Sequence, residues 1–383
     1  MFDSTAINVG IIGYSIGRAH AHAWRTVSEY YYPDQSAPRL VSICGRTKEK
    51  VDYEAKKYGF EKTCENWKRL VRDPDVTVVD DCGPPSVHPE PMINAAELGK
   101  NVICEKPLAK RAADARMMLR AAEKAHVKHL AGFNYRFIPA VLLAKNLIQS
   151  GRLGRIYYFK GSYLNSNDGY DRPNFPMNWH FESRISGYGA LSDLGSHAID
   201  FARFLIGEVS SVCGASETYI NSRPSKEGSK VKRKVDVDDL TIANLKFQNG
   251  ALGILETSWI TPGVTDFLAF EVYGSEGALK FSLERLTELQ VHIKGESNEG
   301  GFRNVFALER DNPYMKPFWP MQAGGFSWEH TFVNELYHFS KCVIDDEKVD
   351  PLGATFYDGY RNCLIMDGIM KSAKSGKWEI LPS

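Results

Sequence analysis

Short apolar runs alternate with amphipathic stretches through the first third of the chain. Ile7–Ile12, Arg39–Cys44, Val76–Asp80, Asn101–Cys104 and Lys128–Gly132 read as strands. Between them RAHAHAWRTVSEY after Gly17, Lys48–Tyr58, Pro89–Leu98 and Arg111–Ala125 carry helical periodicity. Strands regularly separated by helices predict a parallel, doubly wound sheet. After Gly132 the pattern changes. A helix at Ile138–Ser150, a glycine-flanked turn at Gly151-Arg152-Leu153-Gly154 and a strand at Arg155–Leu164 lead into an irregular polar and aromatic stretch, Asn165–Ser183. From Ser211 onward strands dominate: Thr241–Phe247 and Ala251–Thr257 flank the hairpin signal Gln248-Asn249-Gly250. Phe267–Tyr273, Ala278–Ser282 and Leu289–Ile293 extend an antiparallel sheet, and Thr331–Val343 and Ala354–Ala373 read as closing helices. The pattern predicts an α/β chain: a Rossmann-type domain over 1–132, then an α+β domain over 133–383 with a large, open-faced, mostly antiparallel sheet. About Ser222–Lys234 the reading is disorder.

The stretch Gly187–Leu205 stands out. At about 100° per residue, Leu191, Leu194, Ala198, Phe201, Ala202 and Leu205 form one stripe, and Asp193, His197 and Asp200 gather opposite. Asp193 and His197 are four apart, so a carboxylate can orient an imidazole for proton transfer. A plain ion pair on a solvated face explains the same spacing. A metal site does not recommend itself, because no cysteine or second histidine stands at ligand spacing. Far upstream, Val102-Ile103-Cys104 runs into Glu105-Lys106-Pro107, a charged pair at a strand end. On that rim of a parallel sheet ligands bind.

The bulk numbers narrow the partners. The chain has 383 residues, 43% of them hydrophobic, enough for two domains. Lysine plus arginine total 47 and so do aspartate plus glutamate, which gives no basic surface for nucleic acid. Seven scattered cysteines suit reduced thiols, and the absence of a leader or a membrane-length apolar run points to the cytoplasm.

The first strand runs into Gly13-Tyr14-Ser15-Ile16-Gly17 and then a helix. Strand, glycine turn and helix offer backbone N–H groups to a pyrophosphate, although the turn is one residue short of G-x-G-x-x-G and lacks its middle glycine. At the end of the second strand, where an acid would favour NAD, the chain has Gly45-Arg46. A small residue beside a cation favours NADP over NAD. The irregular stretch carries Asn165, Asp168, Tyr170, Trp179 and His180; its tryptophan and tyrosine offer faces for a sugar ring or for closing a nicotinamide pocket, and for Trp179 core anchoring is an equal reading. An apolar exposed face on the second sheet would call for a partner subunit.

Taken together, VGIIG with RAH, Glu105-Lys106-Pro107, and Gly189…Asp193…Gly195…His197 resemble the Gfo/Idh/MocA family of NAD(P)-dependent sugar and polyol oxidoreductases, over essentially the whole chain. FNYR, Trp179-His180-Phe181, VDVDD and the GFR…PY…WP run near Gly301–Pro320 are similar to the levoglucosan-dehydrogenase-like branch. The resemblance implies a catalytic Lys106, Asp193 and His197, with hydride passing from a ring carbinol, of C3 type, to nicotinamide C4. It implies cofactor contacts from Gly13, Tyr14, Ser15, Ile16, Gly17, Arg46, Pro84, Pro85, His88, Glu105, Trp179 and His180. Substrate contacts fall to Lys106, Tyr135, Asn165, Asp193 and His197. The family often has asparagine where Pro85 stands and an acid where Gly45 stands. The expected partners are a small sugar or polyol and a second copy of the chain, as a homodimer or homotetramer through the C-terminal sheet, with no nucleic acid and no membrane. An NAD-dependent glycoside hydrolase with tightly held cofactor, and a non-catalytic dinucleotide or sugar sensor, are the competing readings.

Overall fold

The alternation of strands and helices becomes a six-stranded parallel sheet in the computed structural model, which describes residues 7–33, 37–166, 169–296, 300–307, 312–318 and 325–382. The expectations placed on Asp168 and on Trp319-Pro320 lie outside those residues. Strands β1 (Asn8–Ile12), β2 (Arg39–Cys44), β3 (Lys62–Cys64), β4 (Val78–Asp81), β5 (Asn101–Glu105) and β6 (His129–Gly132) take the order β3-β2-β1-β4-β5-β6. Helices α1 (Gly17–Tyr30), α2 (Lys48–Tyr58), α3 (Trp67–Arg72), α4 (Pro89–Glu97) and α5 (Ala112–Ala125) make the crossovers. Val9, Ile11, Val78, Val79, Val102 and Ile103 are all fully enclosed, as expected of strands covered on both faces. Each such side chain contributes about 1.5–3 kcal/mol. β3 and α3 escaped the sequence reading: KTC and WKRLVR are too short for periodicity to show.

The chain divides into two units, Met1–Phe137 with Lys316–Trp319 and Gly325–Arg361, and Ile138–Met315 with Pro320–Gly324 and Asn362–Ser383. This departs from a single cut at 132/133. The helix Trp328–Ile344 (α9) belongs with the first unit because its aromatic face seats on α1. Tyr31 stacks on Tyr337 at 3.5 Å and donates to Asn334 Oδ1, and His20 lies 5.2 Å from Phe332.

The second unit is built on a nine-stranded sheet. After α6 (Pro139–Gln149) come β7 (Ile156–Asn165), α7 (Ser183–Ser186), α8 (Ser196–Ile206), β8 (Val209–Glu217), β9 (Ser222–Pro224), β10 (Lys232–Lys234), β11 (Leu240–Phe247), β12 (Leu252–Ser258), β13 (Asp266–Gly274), β14 (Gly277–Ser282), β15 (Glu288–Ile293), β16 (Arg303–Phe306), α10 (Phe356–Ser375) and β17 (Glu379–Ile380). The order is β16-β15-β14-β13-β7-β12-β11-β8-β17, antiparallel except for the parallel β7–β12 pair. The turn between β11 and β12 is a tight one: Gly250 sits at φ +88° and Asn249 Oδ1 accepts from Ala251 N. The segment 222–234, expected to be disordered, instead forms the β9–β10 ribbon. Its anchor is Arg223, fully buried 4.0 Å over the Phe181 ring, with its guanidinium donating to the Tyr170 and Arg172 carbonyls. Phe201 of α8 packs edge-on against Phe270 of the sheet at 5.4 Å.

Candidate functional site

In the first unit the strand order reverses between β1 and β4, and the crevice at the carboxyl ends of such neighbours is where dinucleotides bind. Gly13 closes β1 with φ +90°; a Cβ there would lie 2.8 Å from the Cys82 carbonyl oxygen that follows β4. Gly17 packs α1 directly on Ile11 and Cys82. α1 starts behind Ile16 with no side-chain cap and no acid in its first turn. Arg18 N and Ala19 N turn back to Ser15 O and Ile16 O, and the positive end of the helix, with no acid beside it, suits an anion at the turn before them. The turn Gly13–Gly17 thus fits a pyrophosphate despite its missing residue.

The same rim carries the other first-unit candidates. Pro84 and Pro85 follow β4, and His88 is enclosed, its ring nitrogens 2.7 Å from Gly83 O and 3.1 Å from Leu108 O. His88 thereby ties the loop after β4 to the segment after Lys106. Lys106 is the first residue past β5 and half-buried. Tyr135 lies in the short helical turn after β6, buried, its hydroxyl accepting from Trp328 Nε1 at 3.2 Å.

The glycine and the cation expected beside a 2′-phosphate, Gly45 and Arg46, follow β2 directly. Arg46 is exposed, but the space above Gly45 is filled by the Tyr14 ring, two of whose carbons lie 2.7 Å from the position of a Gly45 Cβ. The glycine at the end of β2 serves Tyr14, and the Tyr14 hydroxyl reaches Thr47 Oγ1 at 3.5 Å.

In the second unit Gly187–Leu205 is not one α-helix. Leu191–Gly195 is a π-turn that runs into α8, and such inserted turns recur at functional sites. Nor is the polar side solvated. Every residue of α8 is buried, His197 at 6% exposure and Asp200 at 2%, and Asp193 is half-buried on the π-turn. That removes the reading of a surface ion pair, since ionisable groups are enclosed only when partnered or put to use. His197 faces the Tyr163 ring of β7 at 5.9 Å, and the preceding Ser196 carbonyl accepts from Asn362 Nδ2 at 2.7 Å.

Asn165 ends β7, its Nδ2 3.4 Å from Asp266 Oδ1. Trp179 is 38% exposed and stacks at 3.6 Å on His180, whose Nδ1 meets the Tyr170 hydroxyl at 3.0 Å. Exposure argues against Trp179 as a core anchor and leaves its face open to a ring.

Two sets of residues lie in motifs that the sequence showed, VDVDD and RAH, but without a role assigned to them. The first clasps the π-turn. Asp238, buried at 3% exposure, accepts from Gly189 N at 2.7 Å, Leu191 N at 2.8 Å and the Thr241 hydroxyl at 3.0 Å. Its own carbonyl accepts from Ala190 N, and Thr257 donates to Ala190 O. Gly189 admits no side chain, because a Cβ would sit 2.0 Å from Asp238 O. Burial pushes the Asp238 carboxyl above its usual range, against the pull of these donors. The second set lies beneath β5. His20, wholly buried on α1, places Nδ1 3.0 Å from Asp80 Oδ2 and Nε2 2.9 Å from Glu105 Oε1. Trp24 Nε1 donates to Asp80 Oδ2, and Lys106 N donates to Glu105 Oε2 at 3.0 Å. Glu105 thus spends both carboxylate oxygens inside the protein, and any contact it makes with a cofactor runs through other atoms. The signal was present in RAHAHAW, where His20 and Trp24 stand four apart on the buried side of α1.

The lysine and the aspartate–histidine pair belong to different units. Among the described residues no helix is long and apolar enough to cross a membrane, and none of the seven cysteines forms a disulfide.

Known proteins are similar to this chain in sequence and fold. Residues 7–133 match the family model described as oxidoreductase family, NAD-binding Rossmann fold, and residues 141–280 match the GFO/IDH/MocA C-terminal domain. Levoglucosan dehydrogenase of Pseudarthrobacter phenanthrenivorans is 36% identical over 389 residues, covering 98% of each chain. The scyllo-inositol 2-dehydrogenase (NAD(+)) of Bacillus subtilis is 31% identical, over 80% of this chain and 78% of that one. A solved levoglucosan dehydrogenase in complex with NADH and levoglucosan superposes with a TM-score of 0.93 at 37% identity, over 99% of this chain and 100% of that one.

Proposed function

The chain belongs to the Gfo/Idh/MocA family of NAD-binding oxidoreductases, and we propose that it oxidises a secondary ring hydroxyl, of C3 type, on a cyclic sugar, anhydrosugar or polyol. As a sugar and polyol dehydrogenase it acts on CH–OH groups. The observation that carries the finer reading is the burial of His197 and Asp200 together with half-buried Asp193 on a π-turn, where a solvated helix face was the alternative.

In this reading Gly13, Ser15, Ile16 and Gly17 hold the pyrophosphate through backbone N–H groups, with Pro84, Pro85 and the His88-braced loop beside the cofactor. Bound nicotinamide supplies the hydride acceptor. Lys106 hydrogen-bonds the substrate hydroxyl oxygen and stabilises the charge that builds on it. His197, oriented by Asp193, takes the hydroxyl proton. Tyr135 and Asn165 contact further hydroxyls, and Trp179 with His180 close the pocket with stacked rings.

We assign NAD as the working cofactor. The NADH complexes of levoglucosan dehydrogenase support that choice, and the Tyr14 ring lies against Gly45 at the end of β2. NADP is a second reading that stands on exposed Arg46. Seven cysteines outside any disulfide support work in the cytoplasm.

The partner is a second copy of the chain, seated on the open face of the large sheet. Ile242, Leu252 and Ile254 lie on that face at 48, 55 and 38% exposure. Register places Asn244 opposite Ile254 and Lys246 opposite Leu252, a mixed apolar and polar surface of the kind subunits share.

The test is Lys106→Ala and His197→Ala assayed separately. Each is expected to lower kcat by about 10²–10⁴-fold with NAD binding retained. Activity near that of the unmodified enzyme in either variant overturns that residue's role.

A further inference from the structure

We propose that His20 is a positioning residue for Lys106: it locks the Glu105 carboxylate, which in turn holds the Lys106 amide, so that the lysine leaves the end of β5 in one direction. The inference rests on the reading of Lys106 given above and goes beyond it.

Three facts support it. First, the Glu105 carboxylate is held at both ends, Oε1 by His20 Nε2 at 2.9 Å and Oε2 by Lys106 N at 3.0 Å. A carboxylate held by one oxygen still rotates about its last bond; held by both, it fixes the peptide that joins residues 105 and 106. Second, Gly132 on β6 exists to admit that carboxylate, since a Cβ there would sit 2.8 Å from Glu105 Oε1 and 3.1 Å from Cδ. Third, the imidazole is held at its far side as well, by Asp80, which is itself fixed by Trp24 at 2.9 Å.

The charge state agrees with this role. Burial alone would lower the basicity of His20, but the Asp80 carboxylate and then Cys82 outweigh it and hold the ring protonated. An imidazolium donates from both nitrogens, so it can bind Asp80 and Glu105 at once. It also has no lone pair left for a metal, although His20, Asp80 and Cys82 bring one donor atom each within 4.8 Å of one another. A hydrophobic plug would fill the space at less electrostatic cost. What it would not do is orient the one carboxylate that touches the Lys106 backbone.

The test compares His20→Gln, Glu105→Gln and Gly132→Ala with Trp24→Phe in the full-length protein. The first three disturb the Glu105 arm, the third by steric displacement alone, so failure of one to fold leaves the others to be read. Trp24→Phe cuts a bond to Asp80 in the same network and leaves the Glu105 arm intact. With a sugar deuterated at the reacting carbon, the three are expected to lose about 10–100-fold in kcat. Their deuterium isotope effect on kcat is expected to rise, and NAD affinity to stay within about 3-fold of the parent. Trp24→Phe is expected to lower the melting temperature while kcat stays within about 3-fold. A merely structural role would lower the active fraction without changing the isotope effect. That result, or parent-like kcat in folded His20→Gln, or an equal loss in Trp24→Phe, overturns the proposal. If Lys106→Ala itself retains activity, it is the assignment of Lys106 that fails instead.

Discussion

Replacing Asp238 is expected to damage both stability and turnover, although its carboxylate is buried and engaged with the protein's own chain. Its buried carboxylate is the acceptor for two amides, Gly189 N and Leu191 N, and for the Thr241 hydroxyl. In Asp238→Ala the two amides lose their partner while the Thr241 hydroxyl keeps Ser216 at 2.8 Å, and each buried orphan costs about 1–3 kcal/mol. Part of that is offset, because burial raises the Asp238 carboxyl and the ionised group is itself held at a cost. A net loss of about 2–5 kcal/mol follows. Asp238→Asn keeps one acceptor oxygen but points an NH₂ at a donor, so about 2–3 kcal/mol is expected. For a unit of this size each 1 kcal/mol moves Tm by about 2–4 °C, which puts the asparagine variant about 4–12 °C below the parent. The activity effect follows from position. Leu191 opens the π-turn and Asp193 lies two residues on, so an unpinned start displaces the aspartate and lowers kcat by about 10–100-fold. Thermal melting followed by circular dichroism, with steady-state kinetics on the same preparations, reads both. A folded Asp238→Asn with Tm within about 1 °C and kcat within about 2-fold of the parent refutes the reasoning.

Other expectations follow from the same geometry. His129 is half-buried at the start of β6, where Nδ1 accepts from Phe356 N at 3.0 Å, and desolvation lowers its pKa to about 4 against the pull of Asp350 and Asp358. A histidine depressed in this way stabilises the fold above its unfolded pKa, near 6.5, and loses that contribution as pH falls towards 4. Up to about 3 kcal/mol is at stake, and in melts between pH 7 and 4 His129→Asn is expected to lose less Tm than the parent. Gly45→Ser drives a side chain into the Tyr14 ring and is expected to weaken NAD binding by about 10-fold in fluorescence titration; unchanged affinity contradicts the assigned place of Tyr14. Ile254→Lys puts a charge on the open sheet face and is expected to shift the chain to monomer in sedimentation with its melting temperature retained. An unmodified chain already monomeric at working concentration contradicts the proposed partner.

The nucleotide-binding unit was legible because its strands are apolar on both faces and its helices keep their period; Arg39–Cys44 and Lys48–Tyr58 were read to the residue. What the sequence withheld depends on tertiary placement. The six residues of α3 carry too little period to be seen. Gly187–Leu205 has a helical stripe, but nothing in that stripe announces a π-turn, which is set by Asp238 some fifty residues on. The polar face read as solvated because amphipathicity assumes that one side meets water, whereas α8 is covered all round. Arg223 sat in a charge-rich run that looked disordered, and only its seat on Phe181 fixes the ribbon. Gly45 was read for the space it leaves, and Tyr14, from a distant loop, takes that space. Lys106 and His197 stood out by their place at a strand end and by i,i+4 spacing, while RAH and VDVDD showed His20 and Asp238 without their roles, because their partners are distant in sequence.

The most direct measurement is the absorbance of reduced nicotinamide when the purified protein meets a panel of cyclic sugars, anhydrosugars and polyols, with NAD and NADP in parallel. The account predicts stoichiometric reduction of NAD with at least one ring alcohol, and loss of that signal in Lys106→Ala and His197→Ala. Sugar turnover with no net reduction, together with a cofactor released only on denaturation, would contradict it and make the protein a hydrolase that keeps its NAD.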